Sequence, residues 1–343
     1  MSLSSSNCLL YEVLEDRSIR CQICRRRCKI APGKKGFCQT RQNVHGELHS
    51  LIYGRVSSIR VSPIEIKPLF HFYPGSRWLS LGSLGCNFLC PGCQNWEISH
   101  ADIATEIPST QYIPPERLVE LAEKENCKGI SWTYNEPTLW LEYTLDTARI
   151  AKERGLLTNY VTNGYITEEA LGLIGPYLDA YRVDLKAFSP RSYKKIANIS
   201  HFEGVLDSIT KAKFKWGLHI ELITNLTPGY NDSEEELHEM THWIVDHVGS
   251  ETPWHVTRFM PHLKLSHLEY TPISKLEQAR QIGIEEGLKY VYLGNVPGHP
   301  AENTCCHRCG QMLIERENYR ILKYELRGNR CAFCDQTIAG CFE

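Results

Sequence analysis

The sequence predicts an α/β fold, namely a partial or complete (β/α) barrel with a small cysteine-rich module at each end. Two observations support this prediction. Short apolar runs alternate with segments of helical period between residues 78 and 296, and the 15 cysteines are grouped rather than scattered. Strand–helix alternation over this length predicts parallel strands with right-handed crossovers. A doubly wound open sheet is the alternative, because periodicity does not separate the two.

Seven apolar runs are the candidate strands. They are Trp78–Leu84, Gly129–Tyr134, Leu157–Thr162, Tyr181–Ala187, His219–Asn225, Trp254–Met260 and Tyr290–Asn295. Leu118, Leu121 and Ala122 recur at helical spacing between them, and Ser233 with Glu236 predicts a capping box. The predicted domains are residues 1–55, 56–300 and 301–343, which are the N-terminal module, the barrel and the tail.

Composition narrows the class of protein. A chain of 343 residues can form one large core with small appendages, and its net charge of −2 argues against binding nucleic acid through overall positive charge. The N-terminus lacks a basic and apolar leader pattern, and no apolar run is long enough to span a membrane. We therefore expect a cytoplasmic protein, in which grouped cysteines bind metals rather than form disulfides.

The central cysteines Cys86, Cys90 and Cys93 form a C-x3-C-x2-C run within LGCNFLCPGCQNW. Three thiolates can bind three irons of a [4Fe–4S] cluster, which normally takes four ligands. The next cysteine is Cys127, outside the loop, so one iron is left for a non-protein ligand. A zinc site or a set of buried thiols is the alternative.

Polar clusters follow nearly every candidate strand. They are TYNEP, TNG, DLK, TPGYND, RFMPH and GNVPGH, in chain order. The carboxyl ends of barrel strands meet at one mouth, where catalytic residues lie. Turn formation explains the glycines and prolines, but Glu136, Asp184, Lys186 and Arg258 are charges that need partners.

GCNFLCPGCQNWEIS, together with YNEP, TNG, DLK and TPGYND in that order, resembles the radical S-adenosylmethionine (SAM) enzymes of the AmmeMemoRadiSam system. These enzymes are relatives of pyruvate formate-lyase activating enzyme, and the resemblance covers essentially the whole chain. It implies a radical SAM barrel with a [4Fe–4S] cluster on the central cysteines. It also implies reductive cleavage of SAM to a 5′-deoxyadenosyl radical, which abstracts hydrogen from an unidentified substrate.

The resemblance also implies which residues bind SAM. Asn135 and Glu136 are expected to accept from its ammonium group. Asn163 and Asp184 are expected to hold the ribose hydroxyls or the polar end of SAM. Lys186 is expected to pair with the SAM carboxylate, unless Asp184 and Lys186 pair with each other.

One position departs from the resemblance. Many superfamily members carry an aromatic residue just before the third cysteine, in contact with adenine, and Gly92 stands there in this chain. Phe88 or Trp96 is the candidate replacement. Arg258 and His262 are weaker candidates for the substrate side of the site.

The C-terminal cysteines Cys306, Cys309, Cys331 and Cys334 form two C-x2-C knuckles 21 residues apart. This spacing predicts a structural zinc ribbon, and a rubredoxin-like iron site is the alternative. Cys305 makes the register ambiguous, but Cys306 preserves the two-residue knuckle.

The N-terminal cysteines Cys21, Cys24, Cys28 and Cys38 form C-x2-C-x3-C-x9-C and predict a zinc site or a second [4Fe–4S] cluster, with zinc favoured. The segment is also basic, which is compatible with docking of RNA or an acidic protein, although a solvated loop is favoured. Its basic residues are Arg25, Arg26, Arg27, Lys29, Lys34, Lys35 and Arg41. The remaining thiols, on Cys8, Cys127, Cys305 and Cys341, are interpreted as incidental.

The leading functional prediction is a SAM-cleaving radical enzyme whose substrate is a glycyl-radical protein, a small metabolite or a tRNA nucleoside. Its implied partners are an electron donor such as flavodoxin or ferredoxin, and proteins of the AMMECR and Memo types. The alternative of another class is a non-catalytic, metal-rich scaffold that binds nucleic acid or protein. A scaffold needs no open iron, and detection of 5′-deoxyadenosine would separate the two.

Overall fold

A computed structural model describes residues 8–343. Residues 1–7 lie outside the described residues. They include the start of the predicted N-terminal module and of the segment that lacks a leader pattern. In residues 8–343 the strands are β1 Tyr11–Val13, β2 Ile19–Cys21, β3 Lys29–Ile30, β4 Arg41–Val44, β5 Glu47–Ser50, β6 Arg55–Val56, β7 Ser58–Pro63, β8 Arg77–Gly82, β9 Gln111–Tyr112, β10 Gly129–Trp132, β11 Leu157–Thr162, β12 Ala180–Asp184, β13 His219–Leu226, β14 Trp254–Arg258, β15 Val291–Gly294, β16 Thr304–Cys305, β17 Met312–Glu317, β18 Arg320–Tyr324, β19 Leu326–Arg327 and β20 Arg330–Cys331.

The α-helices of the same residues are α1 Trp96–Ser99, α2 Ile103–Glu106, α3 Pro115–Lys124, α4 Leu141–Glu153, α5 Glu168–Ile174, α6 Pro190–Ala197, α7 Glu203–Phe214, α8 Glu234–His247 and α9 Ile273–Glu285. None of these helices combines the length and the apolar character needed to cross a bilayer.

The centre of the fold is an eight-stranded sheet in the order β15-β14-β13-β12-β11-β10-β8-β7. Seven of its strands are parallel and correspond to the seven predicted runs, while β7 pairs antiparallel with β8 at one edge. The parallel strands follow one another in chain order. A doubly wound sheet would require that order to reverse, so this alternative is wrong. The edge strands β7 and β15 do not pair, and the fold is a partial (β/α) barrel.

Only one of the two hydrogen bonds of the capping box predicted before α8 is formed. The Ser233 side chain accepts a hydrogen bond from the Glu236 backbone N–H. The Glu236 side chain does not return the bond, because its carboxylate instead accepts from Phe188 N at 2.5 Å and Ser192 Oγ at 2.7 Å. The buried carboxylate therefore holds the start of α6 instead of the start of its own helix.

The N-terminal module packs directly on the barrel. Its side chains Ile19, Ile23 and Ile30 belong to the main hydrophobic core. Two arginines of its basic segment form ion pairs with the barrel, Arg25 with Asp207 and Arg27 with Glu169.

The strongest tie between this module and the barrel is a buried ion pair. Arg41 and Glu142 are 1% and 5% exposed and lie 2.6 Å apart. Arg41 also donates to the Leu139 carbonyl at 3.1 Å. A charge buried to this degree needs its partner, because it has lost its hydration.

The C-terminal tail forms a small β-ribbon that shares a second core with the barrel. Leu313, Ile314 and Ile338 of the tail pack with Phe70 and Tyr292. Arg316 donates to the Phe70 carbonyl at 2.9 Å, which joins β17 to the segment before β8. Both end modules thus pack on the barrel, and the three-domain division stays a prediction.

We expect Glu142→Gln to lower the free energy of unfolding by about 3 kcal/mol, because it leaves the Arg41 guanidinium buried without a countercharge. Urea unfolding at matched metal content measures this change. Glu153→Gln, an exposed position on the same helix, is the control and should change the free energy by less than about 0.5 kcal/mol. Equal effects of the two substitutions would contradict the assignment of Arg41–Glu142 as the tie.

Candidate active site

A cavity of about 490 Å³ lies at the carboxyl ends of the parallel strands. Its volume is in the range of sites for small molecules and cofactors. The structure brings all eight residues predicted for the central cluster and SAM to its lining; they are Cys86, Cys90, Cys93, Asn135, Glu136, Asn163, Asp184 and Lys186. The expected meeting of strand ends is therefore observed, while the chemical role of each residue stays a prediction.

The loop after β8 carries the three central cysteines. Among the described residues, the only group of three or more potential ligand atoms within 4.8 Å of one another is in the C-terminal tail. The thiols of Cys86, Cys90 and Cys93 therefore do not all lie within 4.8 Å of one another. Such spacing suits a cluster, because each thiolate binds a different iron.

Asn135 holds the cysteine loop. Its Oδ1 accepts from Ser83 N at 2.9 Å, and its Nδ2 donates to the Gly85 carbonyl at 2.9 Å. Both ends of the amide thus bond to the backbone just before Cys86, at Ser83 and Gly85. Asn135 thus orients the loop, and its amide keeps one donor and one acceptor position.

Glu136 is 2% exposed and joins the ends of β10 and β11. Its carboxylate accepts from Thr138 N at 3.0 Å, Thr162 Oγ1 at 2.7 Å and Asn163 N at 2.8 Å. Burial raises the pKa of this carboxyl above its usual value despite these three donors. Two carboxylate oxygens offer about four acceptor positions, so one remains for a cationic ligand group in the cavity.

Asn163 connects this carboxylate to the cysteine loop. Its Nδ2 donates to Asn87 Oδ1 at 2.7 Å and lies 3.9 Å from Cys86 Sγ. Its Oδ1 accepts from Tyr165 N at 3.0 Å. The side chain is thus fixed between β11 and the first cysteine of the loop.

Asp184 and Lys186 pair with each other, at 2.8 Å between Oδ2 and Nζ. Arg182 forms a second ion pair with Asp184. Burial alone would raise the pKa of Asp184, but the two cations outweigh it and hold the pKa at about 2. The carboxylate stays ionised and leaves one net positive charge in this group of three.

Sequence reasoning missed Lys67, which lines the same cavity. Its side chain is 2% exposed, and no acidic group in the described part of the chain lies within ion-pair distance. Burial, with the nearby charges of Arg182 and Arg60, lowers the pKa of this amine to about 8. The sequence around it, EIKPL, contains no motif that marks a functional lysine.

Phe259 is a second residue that sequence reasoning missed. A Cβ placed on Gly92 would lie 3.1 Å from Phe259 Cε2, so the glycine leaves room for this buried, cavity-lining ring. Phe88 also lines the cavity, but Trp96 is 42% exposed and lies outside it, so Trp96 is wrong as a candidate.

The two weaker candidates for the substrate side also lie outside the lining. Arg258 and His262 are absent from the walls of the cavity. The Arg258 guanidinium instead donates from Nε to the Thr271 carbonyl at 2.8 Å and holds that loop.

The C-terminal thiols of Cys306, Cys309, Cys331 and Cys334 all lie within 4.8 Å of one another. Two Sγ–Sγ distances are 3.6 and 3.8 Å, for Cys306–Cys334 and Cys309–Cys331. A tetrahedron with zinc–sulfur bonds of about 2.3 Å has edges of about 3.8 Å. The structure brings Cys306 rather than Cys305 into this group, and the four thiols fit one zinc-sized ion.

Three comparisons bear on the family of the chain. The model of the Radical SAM superfamily matches residues 81–244. An uncharacterized protein of Methanocaldococcus jannaschii is 45% identical over 332 residues, which are 96% of this chain and 98% of that protein. A probable GTP 3′,8-cyclase of Thermococcus kodakarensis is 28% identical over 152 residues, which are 43% of this chain and 47% of that protein.

Among solved structures, a domain of a pyruvate-formate lyase-activating enzyme from Bacteroides vulgatus matches with a TM-score of 0.42 and 16% identity. The match covers 49% of this chain and 99% of that domain.

We expect Cys309→Ser to remove about one zinc per chain, because the closed four-thiolate site loses a ligand. Metal analysis of the purified protein measures this loss, and iron content should stay constant. Cys305→Ser changes the neighbouring thiol outside the set and should keep the zinc. A fall in iron with Cys309→Ser would show that the tail holds a redox centre.

Lys67→Met should change the pH dependence of stability. The folded pKa of about 8 lies below the value of about 10.4 in an unfolded chain, so the unfolded state binds this proton more tightly. The wild type should therefore gain free energy of unfolding relative to Lys67→Met as pH rises from about 8 to about 10. Urea titrations across this range measure the difference, and Lys34→Met at an exposed position is the control. A difference independent of pH would contradict the assignment.

Proposed function

Because the chain belongs to the Radical SAM superfamily, we propose that it is an enzyme that binds a [4Fe–4S] cluster on Cys86, Cys90 and Cys93 and cleaves SAM reductively. The observation that carries this proposal is the convergence of the three thiols with Glu136, Asn163 and the Asp184–Lys186 pair on one cavity. When bound, the cluster would supply the electron that breaks a carbon–sulfur bond of SAM and so produces a hydrogen-abstracting 5′-deoxyadenosyl radical.

The thiol count supports a cluster with one open iron. Three cysteines line the cavity, and their thiols do not all lie within 4.8 Å of one another. In the part of the chain that the structure describes, Cys127 is buried beside Arg77 and Glu125, away from the loop, and provides no fourth ligand. The open iron would face the cavity, where the amino and carboxylate groups of SAM can reach it.

The charges around the cavity are arranged for a molecule with both signs. Glu136 keeps a free acceptor position in a buried environment, where a hydrogen bond to an ammonium group contributes about 1.5–3 kcal/mol. Lys186 and Arg182 carry two positive charges against the single negative charge of Asp184. The remaining positive charge suits a carboxylate. We propose that Glu136 receives the SAM ammonium and that Lys186 stays near its carboxylate, while Asn135 acts by holding the loop.

We also propose that Phe259 contacts the adenine of SAM. The family position before the third cysteine is Gly92, and the space above it is occupied by the Phe259 ring from the loop after β14. A ring supplied by a different strand end can offer the same apolar face, since stacking requires proximity rather than a particular place in the sequence.

The substrate we propose carries an anionic group. Lys67 is a buried amine without an acidic partner, and it lies on the cavity wall with Arg182 and Arg316. Buried cations of this kind are stabilised by a complementary anion. Such a group is compatible with a small metabolite, with a tRNA nucleoside through its phosphate, and with a glycyl-radical protein through an acidic side chain.

The partners follow from the resemblance to the AmmeMemoRadiSam enzymes. We propose a flavodoxin or ferredoxin as the electron donor, and AMMECR-type and Memo-type proteins as associated proteins. The non-catalytic scaffold is disfavoured, because a scaffold gives no reason for polar side chains from the ends of β10, β11 and β12 to meet around open thiols.

Anaerobic reconstitution with iron, sulfide, reductant and SAM tests the proposed function. The wild type should form 5′-deoxyadenosine and methionine, and Cys90→Ala should lose this activity, because one iron of the central cluster loses its ligand. The iron content of the variant should fall by about four per chain, and the effect of SAM on the cluster's electron paramagnetic resonance (EPR) signal should disappear.

Cys127→Ala is the matched control, since it removes a buried thiol outside the three cysteine groups and should leave both measurements unchanged. Formation of 5′-deoxyadenosine by Cys90→Ala at the wild-type rate would reject the proposal.

A further inference from the structure

We propose that Lys67 forms a Schiff base with the carbonyl carbon of a 2-oxo acid, and that Arg182 binds the carboxylate of the same molecule. The inference rests on the anionic substrate proposed above, since it names the class of that substrate and the group that attaches it. Both side chains lie on the wall of the cavity that the central thiols also line. The chemistry at Lys67 itself requires neither the cluster nor SAM.

The amine of Lys67 is enclosed by the protein but has no polar partner in it. The residue is 2% exposed. Within residues 8–343, the buried polar atoms that are sealed from the cavity without a partner belong to other residues, so the Nζ atom of Lys67 reaches the cavity space. It lies 5.3 Å from the centre of the Tyr134 ring, which lines the cavity as well. The ring orients the amine, and no carboxylate holds a proton on it.

The surroundings of Lys67 also favour the form of the amine that can react. Only an uncharged amine attacks a carbonyl carbon. Burial, followed by the positive charges of Arg182 and Arg60, lowers the pKa of this amine to about 8. At about pH 7.5, about a quarter of such amines are uncharged, against about one in a thousand for a lysine with the ordinary pKa of about 10.4. A buried lysine beside other cations is the arrangement that activates lysine nucleophiles.

The second lysine of the cavity provides an internal comparison. Lys186 pairs with Asp184, at 2.8 Å between Nζ and Oδ2. Burial alone would lower the pKa of Lys186, but the charge of Asp184 outweighs burial and raises the pKa above its usual value. This ammonium group therefore stays protonated and does not attack a carbonyl. Of the two lysines on one cavity wall, only Lys67 has the property that Schiff-base formation requires.

Arg182 is fixed beside Lys67 and keeps a donor for a ligand. Its Nε donates to the Lys67 carbonyl oxygen at 2.6 Å, and its Nη1 pairs with Asp184. Its Nη2 has no partner in residues 8–343 and is not sealed in the protein, because the side chain lines the cavity. Arg316 differs, since both of its terminal nitrogens donate to neighbouring protein oxygens. A guanidinium N–H that faces a cavity suits a carboxylate.

A 2-oxo acid matches this pair of groups. Its carboxylate is bonded directly to its carbonyl carbon, so one small molecule can meet Arg182 and Lys67 together. An anion without a carbonyl group would use only the arginine, and a neutral ketone would use only the lysine. The pairing of a reactive amine with a neighbouring anion donor therefore indicates the 2-oxo acid class.

The step balances without an oxidant or a reductant. The lone pair of Lys67 Nζ forms a bond to the carbonyl carbon, and the carbonyl oxygen takes up the proton that the nitrogen releases. The resulting hydroxyl leaves as water with a proton from solvent, and the carbon–nitrogen double bond forms. Attack by water reverses the step and frees the product. A substrate attached in this way stays in the cavity while a radical forms on the thiol side.

Trapping with pyruvate tests the attachment without any SAM cleavage. Pyruvate and sodium cyanoborohydride are added to the reconstituted protein in the absence of SAM and dithionite, and peptide mass mapping locates the reduced adduct. Lys67 should carry the adduct and Lys186 should not. Acetone, which lacks the carboxylate, should label Lys67 about ten- to a hundredfold more slowly, because it cannot bond to Arg182. No adduct at Lys67, or equal rates with acetone and pyruvate, would overturn the proposal.

Two lysine variants complete the test. Lys67→Arg keeps the positive charge but removes the nucleophile, so trapping of pyruvate should be lost. Lys34→Arg replaces an exposed lysine and should keep the wild-type yield of adduct. A wild type that cleaves SAM but traps no pyruvate would reject the role of Lys67 alone. A wild type that traps pyruvate but forms no 5′-deoxyadenosine would reject the proposed function alone.

Discussion

The geometry of the site depends on the buried carboxylate of Glu136. Three donors from the end of β11 and from the turn after β10 converge on it, and the residues that supply them are buried. Leaving such donors unpaired costs about 1–3 kcal/mol each, so the two strand ends are held in one relative position. Asn163 is fixed by this arrangement, and through Asn87 it fixes the start of the cysteine loop. The carboxylate at the end of one strand thus sets the position of thiols that follow another.

Charge explains why this arrangement needs its ligands. Burial raises the pKa of Glu136 and of the Cys86 thiol, so burial disfavours both anions. A metal cluster binds the thiol as thiolate, and an ammonium group favours the ionised carboxylate. Asp184 differs, because Lys186 and Arg182 already keep it ionised. Binding of such ligands would therefore be coupled to ionisation of Glu136 and Cys86. On the side of the cavity formed by β12, Asp184 is ionised without a ligand.

Sequence patterns predicted the parts of the fold that follow from backbone periodicity. All seven parallel strands were found, because each is an apolar run with a turn at its end. The edge strand β7 was missed, since SIRVSP contains a charge and a proline in place of an apolar run. The strand-end motifs also converged as expected, because parallel strands place their carboxyl ends at one edge.

What sequence could not predict is which partner a polar side chain chooses. Glu236 bonds to the start of α6 instead of its own helix, and Asn135 is occupied by the cysteine loop. Lys67 stands in no recognisable motif, and Phe259 is an apolar residue of RFMPH, whose basic residues were the predicted ones; only packing brings Lys67 and Phe259 to the cavity. The same limit applies to the two end modules, where C-x2-C knuckles occur in both. A knuckle defines two neighbouring ligands but not the distance to the other pair. That distance is set by how the connecting chain packs. The C-terminal ribbon brings its four thiols within 4.8 Å of one another, whereas Arg41, Arg25 and apolar side chains pack the N-terminal segment on the barrel.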